Sequence, residues 1–234
     1  MQNILITGAN RGIGLALTRQ FLAQDDPRVY AACRNPDGAA QLNKLAQEHN
    51  SRVRVLQMDV TDEASINRAV EVVSEEAGAL DILVNNAGIS GGDHARIMGK
   101  LTVTEVSHVI TTNAVSSLIV TQACRDLLKR GDNPRVVMIS SGLGSLSRAG
   151  GSSYAYRMSK AAMNMAARVL AVDGAMGGII AVTLAPGWVR TDMGGPAANL
   201  SPEESARALL AIIKGLGNSD NGKFYRYDGV ELEW

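Results

Sequence analysis

Tyr156 and Lys160 stand four residues apart in a stretch with helical patterning, so their side chains share one face of that helix. A free tyrosine hydroxyl titrates near pKa ~10, too high for easy proton exchange at neutral pH. A neighbouring ammonium favours the phenolate and is expected to lower that value, making Tyr156 a general acid or base. The donors of Lys160 also suit a ribose. Because a Tyr-x-x-x-Lys pair recurs by chance in many helices, its meaning depends on what accompanies it. The segment Thr7-Gly8-Ala9-Asn10-Arg11-Gly12-Ile13-Gly14 is the second chemistry-bearing feature. Its glycines fall as GxxxGxG rather than GxGxxG, a spacing that a plain tight strand–helix turn would also explain. Its place between a first strand and a first helix favours a dinucleotide site, with a pyrophosphate on the helix N-terminus.

The second strand leads into Arg34, where an NAD site would carry an acid for the ribose 2′-hydroxyl. A guanidinium suits a 2′-phosphate and an acid would repel one, so Arg34 with Arg11 in the glycine loop favours NADP(H) over NAD. Solvated surface arginines are the bland alternative. Asp59-Val60 follows the third strand, placing Asp59 either against an adenine or at the N-cap of the next helix, a position for which Thr61 and Asp62 compete.

Positioning these groups requires a layered framework. Predicted strands at 3–6, 29–32, 53–57, 82–85, 136–140 and 179–184, with a last edge strand near 223–227, alternate with helices at 12–23, 39–49, 63–76, 103–129 and 154–176. Strands that are apolar throughout suit a parallel sheet covered on both faces, and strand–helix alternation implies right-handed βαβ units. The fold class expected is α/β: one doubly wound Rossmann-type domain over residues 1–234 with a mostly parallel seven-stranded sheet and a substrate loop near 191–200. Ser201-Pro202-Glu203-Glu204 reads as an N-cap, a proline at the first helical position and an acidic first turn.

At 234 residues and 46% hydrophobic, the chain has apolar material for a sizeable core without staples. Lys plus Arg equals Asp plus Glu, a balance without the basic excess of a nucleic-acid binder. Cys33 and Cys124 form no CxxC pair and read as buried apolar residues in a reducing compartment. His49, His94 and His108 lack ligand spacing, so no metal is expected. Neither a signal peptide nor a membrane span is evident, which points to the cytoplasm. Asn199-Leu200-Ser201 matches a glycosylation acceptor only incidentally.

Taken in order, Thr7-Gly8-x-x-x-Gly12-Ile13-Gly14, Asn85-Asn86-Ala87-Gly88, Ser140-Ser141, Tyr156-x-x-x-Lys160 and Pro186-Gly187 resemble the short-chain dehydrogenase/reductase family along the whole chain. Asn10-Arg11-Gly12, Cys33-Arg34-Asn35, Tyr156 to Lys160, Pro186 to Met193 and the tail from Gly222 to Trp234 resemble its carbonyl-reductase-like group, which includes Sniffer and C-factor-type proteins. The resemblance implies that Tyr156 protonates a carbonyl oxygen as hydride leaves the nicotinamide, that Ser141 orients the carbonyl, and that Asn113 supports a water relay to Lys160. It also implies that Gly8, Asn10, Arg11, Gly12, Ile13, Gly14, Arg34, Asp59 and Val60 hold the adenosine and pyrophosphate part. Asn86, Ala87 and Gly88 would close the cleft near the adenosine ribose and the nicotinamide side, and Tyr156, Lys160, Pro186, Gly187, Val189 and Thr191 would hold the nicotinamide half. Ser141 is preferred over Ser140 by motif position alone, and ordinary strand-end or helix hydrogen bonding would explain each serine and Asn113 without catalysis. The fifteen-residue interval from Ser141 to Tyr156 is longer than in many members of the family.

The expected activity is NADPH-dependent reduction of a small aldehyde or ketone. Oxidation of an alcohol and a catalytically silent dinucleotide sensor or signalling protein are the competing readings. A substrate pocket would be walled by 91–100, 142–153 and 193–200. The helix from Tyr154 carries a narrow polar stripe, Arg157, Lys160, Asn164 and Arg168, on an otherwise apolar surface. Such a helix is buried on two sides, against the sheet and against either a second subunit or this chain's own C-terminal segment. A homodimer or homotetramer agrees with the resemblance.

Overall fold

A computed structural model describes residues 1–234, the side chain of Asn50 excepted. The described residues alternate as β1 (Gln2–Thr7), α1 (Gly12–Leu22), β2 (Pro27–Cys33), α2 (Ala40–His49), β3 (Val53–Gln57), α3 (Glu63–Ala77) and β4 (Ile82–Asn85). There follow α4 (Asp93–Arg96), α5 (Val103–Ile110), α6 (Ser116–Lys129), β5 (Arg135–Ile139), α7 (Tyr154–Val172), β6 (Ile180–Ala185), α8 (Pro202–Gly215) and β7 (Phe224–Arg226). The strands form one sheet in the order β3-β2-β1-β4-β5-β6-β7. Every adjacent pair is parallel, so the mostly parallel sheet of the sequence reading is wholly parallel.

Alternate residues of each strand supply the two cores, as the strand period of two requires. Ile4 and Ile6 of β1 join Leu17 and Phe21 of α1 and Leu209 and Ile213 of α8 on one face. Leu5, between them, joins Val120 of α6 and Met163 and Ala167 of α7 on the other. Both cysteines are buried and free. The strand order reverses between β1 and β4, which opens a crevice at the carboxyl ends of those strands.

Two local features differ from the expected elements, and the cap expected at Ser201 is present. The helix expected over 103–129 is continuous, but Thr111–Val115 forms a π-helical turn between α5 and α6. The helix expected to run to Met176 stops at Val172, where Asp173 leaves helical geometry and its carboxylate accepts from the Ala175 amide to cap a separate 3₁₀ turn. The Ser201 hydroxyl accepts from the Glu204 amide at 3.1 Å while the Glu204 carboxylate accepts from the Ser201 amide at 2.7 Å. This capping box, with Pro202 at the first helical position, fixes the start of α8 and contributes about 1 kcal/mol.

Candidate active site

The carboxyl ends of the strands border a cleft of about 490 Å³. One wall is the turn between β1 and α1, with Gly8, Asn10, Arg11, Gly12 and Ile13 on the cleft. Gly8 and Gly12 have φ of +65° and +53°, a region that favours glycine. Gly14 lies beneath this lining, where a Cβ would collide with the Gly8 carbonyl. No side chain caps α1 and no acid occupies its first turn. The opening amides of that helix are therefore offered to an anion, and the glycine cradle fits a dinucleotide pyrophosphate.

Thr7, which sequence reasoning did not single out as a site residue, ties this wall to the next one. Its buried hydroxyl accepts from the amides of Asn86 and Ala87, each at 3.0 Å. In return the Asn86 side chain donates to the carbonyls of Thr7 and Gly8 at 2.9 and 3.1 Å. Asn86, Ala87 and Gly88 line the cleft, but the Asn86 amide nitrogen is committed to holding the glycine turn.

At the adenosine end, Arg34, Asp59 and Val60 line the cleft. Arg34 is exposed and makes no ion pair among the described residues. Asp62, not Asp59, caps α3, accepting from the Ala64 amide. Asp59 instead accepts from the amide and hydroxyl of Thr61 at 2.9 and 2.7 Å. The Thr61 amide is the main influence holding the Asp59 carboxyl below its ordinary value. Arg11 is already engaged: its Nη1 lies 2.7 Å from Asp192 Oδ2, on the loop after β6.

Pro186, Thr191 and Met193 carry that loop along the cleft; of the segments expected to wall a substrate pocket, 193–200 reaches it only at Met193, and 91–100 and 142–153 contribute no lining residue. Gly187 and Val189 lie behind the lining. A Cβ on Gly187 would come within 2.6 Å of Leu200 and 2.9 Å of Tyr227, and Val189 bridges to Leu200. The loop is braced by Trp188 Nε1 donating to the Gly194 carbonyl and by Arg190 donating to the carbonyls of Ala198 and Asn199.

Tyr156 and Lys160 both line the cleft. Lys160 Nζ donates to the Ile139 carbonyl at 2.7 Å and lies 5.8 Å from the centre of the Tyr156 ring. Burial pushes the Lys160 ammonium down to about 7. Burial also pushes Tyr156 up, and the Ser141 hydroxyl draws it part of the way back. This runs opposite to the expectation that Lys160 lowers Tyr156: desolvation penalises the phenolate, and Ser141 rather than Lys160 is what opposes it.

The two serines separate by their partners. Ser140 is buried and its hydroxyl donates to Asn164 Oδ1 at 2.7 Å. Ser141, partly exposed, accepts from the Leu143 amide at 3.1 Å, which leaves its own proton to give on the Tyr156 side. Asn113 is fully buried within the π turn. Its side chain accepts from the Ile89 amide and donates to the Ile89 carbonyl and Ser159 Oγ, each at 2.8 Å. It makes no hydrogen bond to Lys160, so a relay between them needs an intermediary.

A wholly parallel sheet with a glycine cradle and a tyrosine–lysine pair at its carboxyl edge is the architecture of a dinucleotide-dependent oxidoreductase. The family model described as short chain dehydrogenase matches residues 2–200, and the chain belongs to that family. Over 158 residues it is 43% identical to the C-signal protein of Myxococcus xanthus, covering 67% of this chain and 94% of that one. Carbonyl reductase Sniffer of D. melanogaster superposes with a TM-score of 0.94 at 34% identity, with 100% of both chains covered. An NADPH-bound carbonyl reductase from chicken fatty liver gives a TM-score of 0.94 at 35% identity over 100% of this chain and 99% of that one.

Proposed function

We propose that this chain, acting as a single domain over residues 1–234, reduces a small aldehyde or ketone with NADPH. The observation that carries the reading is the meeting of Tyr156 and Lys160 beside the glycine cradle in one cleft, with the Ser141 hydroxyl behind the lining and hydrogen-bonded to Tyr156. The NADPH-bound relative supports the choice of cofactor, as does the unpaired Arg34 guanidinium at the adenosine end. A 2′-phosphate would sit there, and the α1 amides would take the pyrophosphate.

NADPH, when bound, supplies the hydride. The Tyr156 hydroxyl gives its proton to the carbonyl oxygen, and Ser141 donates a hydrogen bond to the same oxygen so that the carbonyl carbon faces the hydride donor. A raised Tyr156 keeps the phenol protonated and suits it to the acid role in the reductive direction. Lys160, fixed by the Ile139 carbonyl, sits below the ring to receive a ribose hydroxyl and to help return the proton. Asn113 shapes that return path by holding Ile89 and Ser159 in place. Tyr156→Phe is expected to stop turnover while NADPH still binds; unchanged turnover would contradict the assignment.

The non-catalytic regulatory reading has the likeness to C-signal in its favour and the complete Ser141, Tyr156 and Lys160 set against it. Met158, Met165, Val169 and Val172 are exposed along α7, which supports self-association of two or four copies through that face, measurable by sedimentation. Two free buried cysteines, with no helix among the described residues long and apolar enough to cross a membrane, support a cytoplasmic location.

A further inference from the structure

In the polar stripe of α7, Lys160 and Asn164 are buried while Arg157 and Arg168 lie nearer the surface, and each of the four holds backbone from a different place. Lys160 takes the Ile139 carbonyl, Asn164 the Gly144 carbonyl at 3.2 Å, Arg157 the Ser152 carbonyl at 3.2 Å and Arg168 the Gly222 carbonyl at 3.1 Å. Between the first two runs a strap that starts at Ser141. Gly144, in its middle, is pressed so closely on Lys160 that a Cβ would come within 2.8 Å of the Lys160 backbone.

The far end of the strap is held by a segment remote in sequence. Ser145 Oγ donates to the Glu233 carbonyl at 2.7 Å, and the Ser147 amide donates to the Trp234 carbonyl at 3.0 Å. That segment is itself fixed. The Trp234 ring stacks on Phe224 of β7 at a centroid separation of 5.3 Å, and the Arg168 guanidinium lies 5.6 Å from its centre. The Leu232 amide donates to the Phe224 carbonyl at 2.7 Å, and Leu232 is buried with Phe224 and Ala185. The strap has little apolar attachment of its own, since Leu143 is 40% exposed and Leu146 is 74% exposed. Its order therefore depends on Asn164 at its middle and on the Leu232–Trp234 segment at the far end.

We propose that Leu232–Trp234 is a clamp that fixes the strap from Ser141 to Ser147, with Trp234 the positioning residue that holds the Ser141 hydroxyl beside Tyr156. The catalytic part of this inference rests on the function proposed above. Ser141 and Trp234 do not touch; the link runs through Ser147, Ser145 and Gly144.

Hydrogen exchange at 141–149, read together with steady-state kinetics, tests it on Trp234→Ala, Trp234→Phe and Ser145→Ala. Trp234→Ala is expected to speed exchange in that segment by about tenfold or more and to lower kcat by about tenfold, with the Kd for NADPH within about twofold. Trp234→Phe, which keeps the stack on Phe224, is expected to restore both. Ser145→Ala retains the aromatic packing and so guards against a variant that fails to fold; it is expected to move both readouts in the same direction by a smaller factor. Exchange that stays unchanged in both alanine variants overturns the clamp. Faster exchange with kcat unaltered overturns its positioning role, and losses spread equally to β1, α1 and NADPH binding show general destabilisation instead. Should the unaltered protein turn over no carbonyl, the proposed function fails, and the clamp is judged by exchange alone.

Discussion

Lys160 Nζ donates to the main-chain carbonyl of Ile139 at 2.7 Å, so the ammonium is held by the last residue of β5 rather than by any acid. A buried ammonium with a neutral partner is penalised by desolvation, and its value falls from 10.5 to about 7. The unfolded chain thus binds more protons than the folded one between the two values, and stability rises with pH through that window. Denaturant unfolding is expected to show this slope in the unaltered chain, worth about 2 kcal/mol between about pH 7 and 9, and to lose it in Lys160→Met. Equal slopes in the two proteins would mean that Lys160 is solvated.

Tyr156→Phe removes the proton donor and keeps the ring. The expected loss in kcat is about 10²- to 10⁴-fold, with the Kd for NADPH nearly unchanged by fluorescence titration.

Arg34 and Arg11 differ in availability. Arg34 is unpaired, so Arg34→Asp is expected to weaken NADPH by about tenfold or more while altering NADH far less. Arg11 is shared with Asp192, so Asp192→Asn is expected to free its guanidinium and tighten NADPH by a few-fold, an effect that fades with added salt. Equal changes for NADPH and NADH would place neither arginine at a 2′-phosphate.

Thr7→Val tests the tie between the two cleft walls. The substitution leaves the part-buried amides of Asn86 and Ala87 without their acceptor, at an expected cost of about 1–3 kcal/mol in unfolding free energy. Thr7→Ser keeps the acceptor and is expected to recover most of it.

Much of this was legible in the sequence because its signals are local. Val53–Gln57 and Ile82–Asn85 form strands with the expected bounds, and Ser201 to Glu204 spell their capping box in adjacent letters. The glycine turn and the Tyr156–Lys160 face follow from helix and turn geometry. What was hidden depends on partners far away in the chain. The Arg11–Asp192 pair spans 181 residues, and the Ser145 bond to Glu233 spans 88. No residue type announces the π turn at Thr111–Val115, where Asn113 is turned toward Ile89 and Ser159. The direction of the Tyr156 shift was misjudged because spacing places a lysine beside the ring but does not show that both groups are desolvated.

The most direct test is NADPH consumption by the purified protein against a panel of small aldehydes and ketones, with NADH run beside it. The account predicts turnover of at least one carbonyl with a clear preference for NADPH, abolished in Tyr156→Phe. No turnover across the panel by protein that binds NADPH, or turnover that survives Tyr156→Phe, would contradict it.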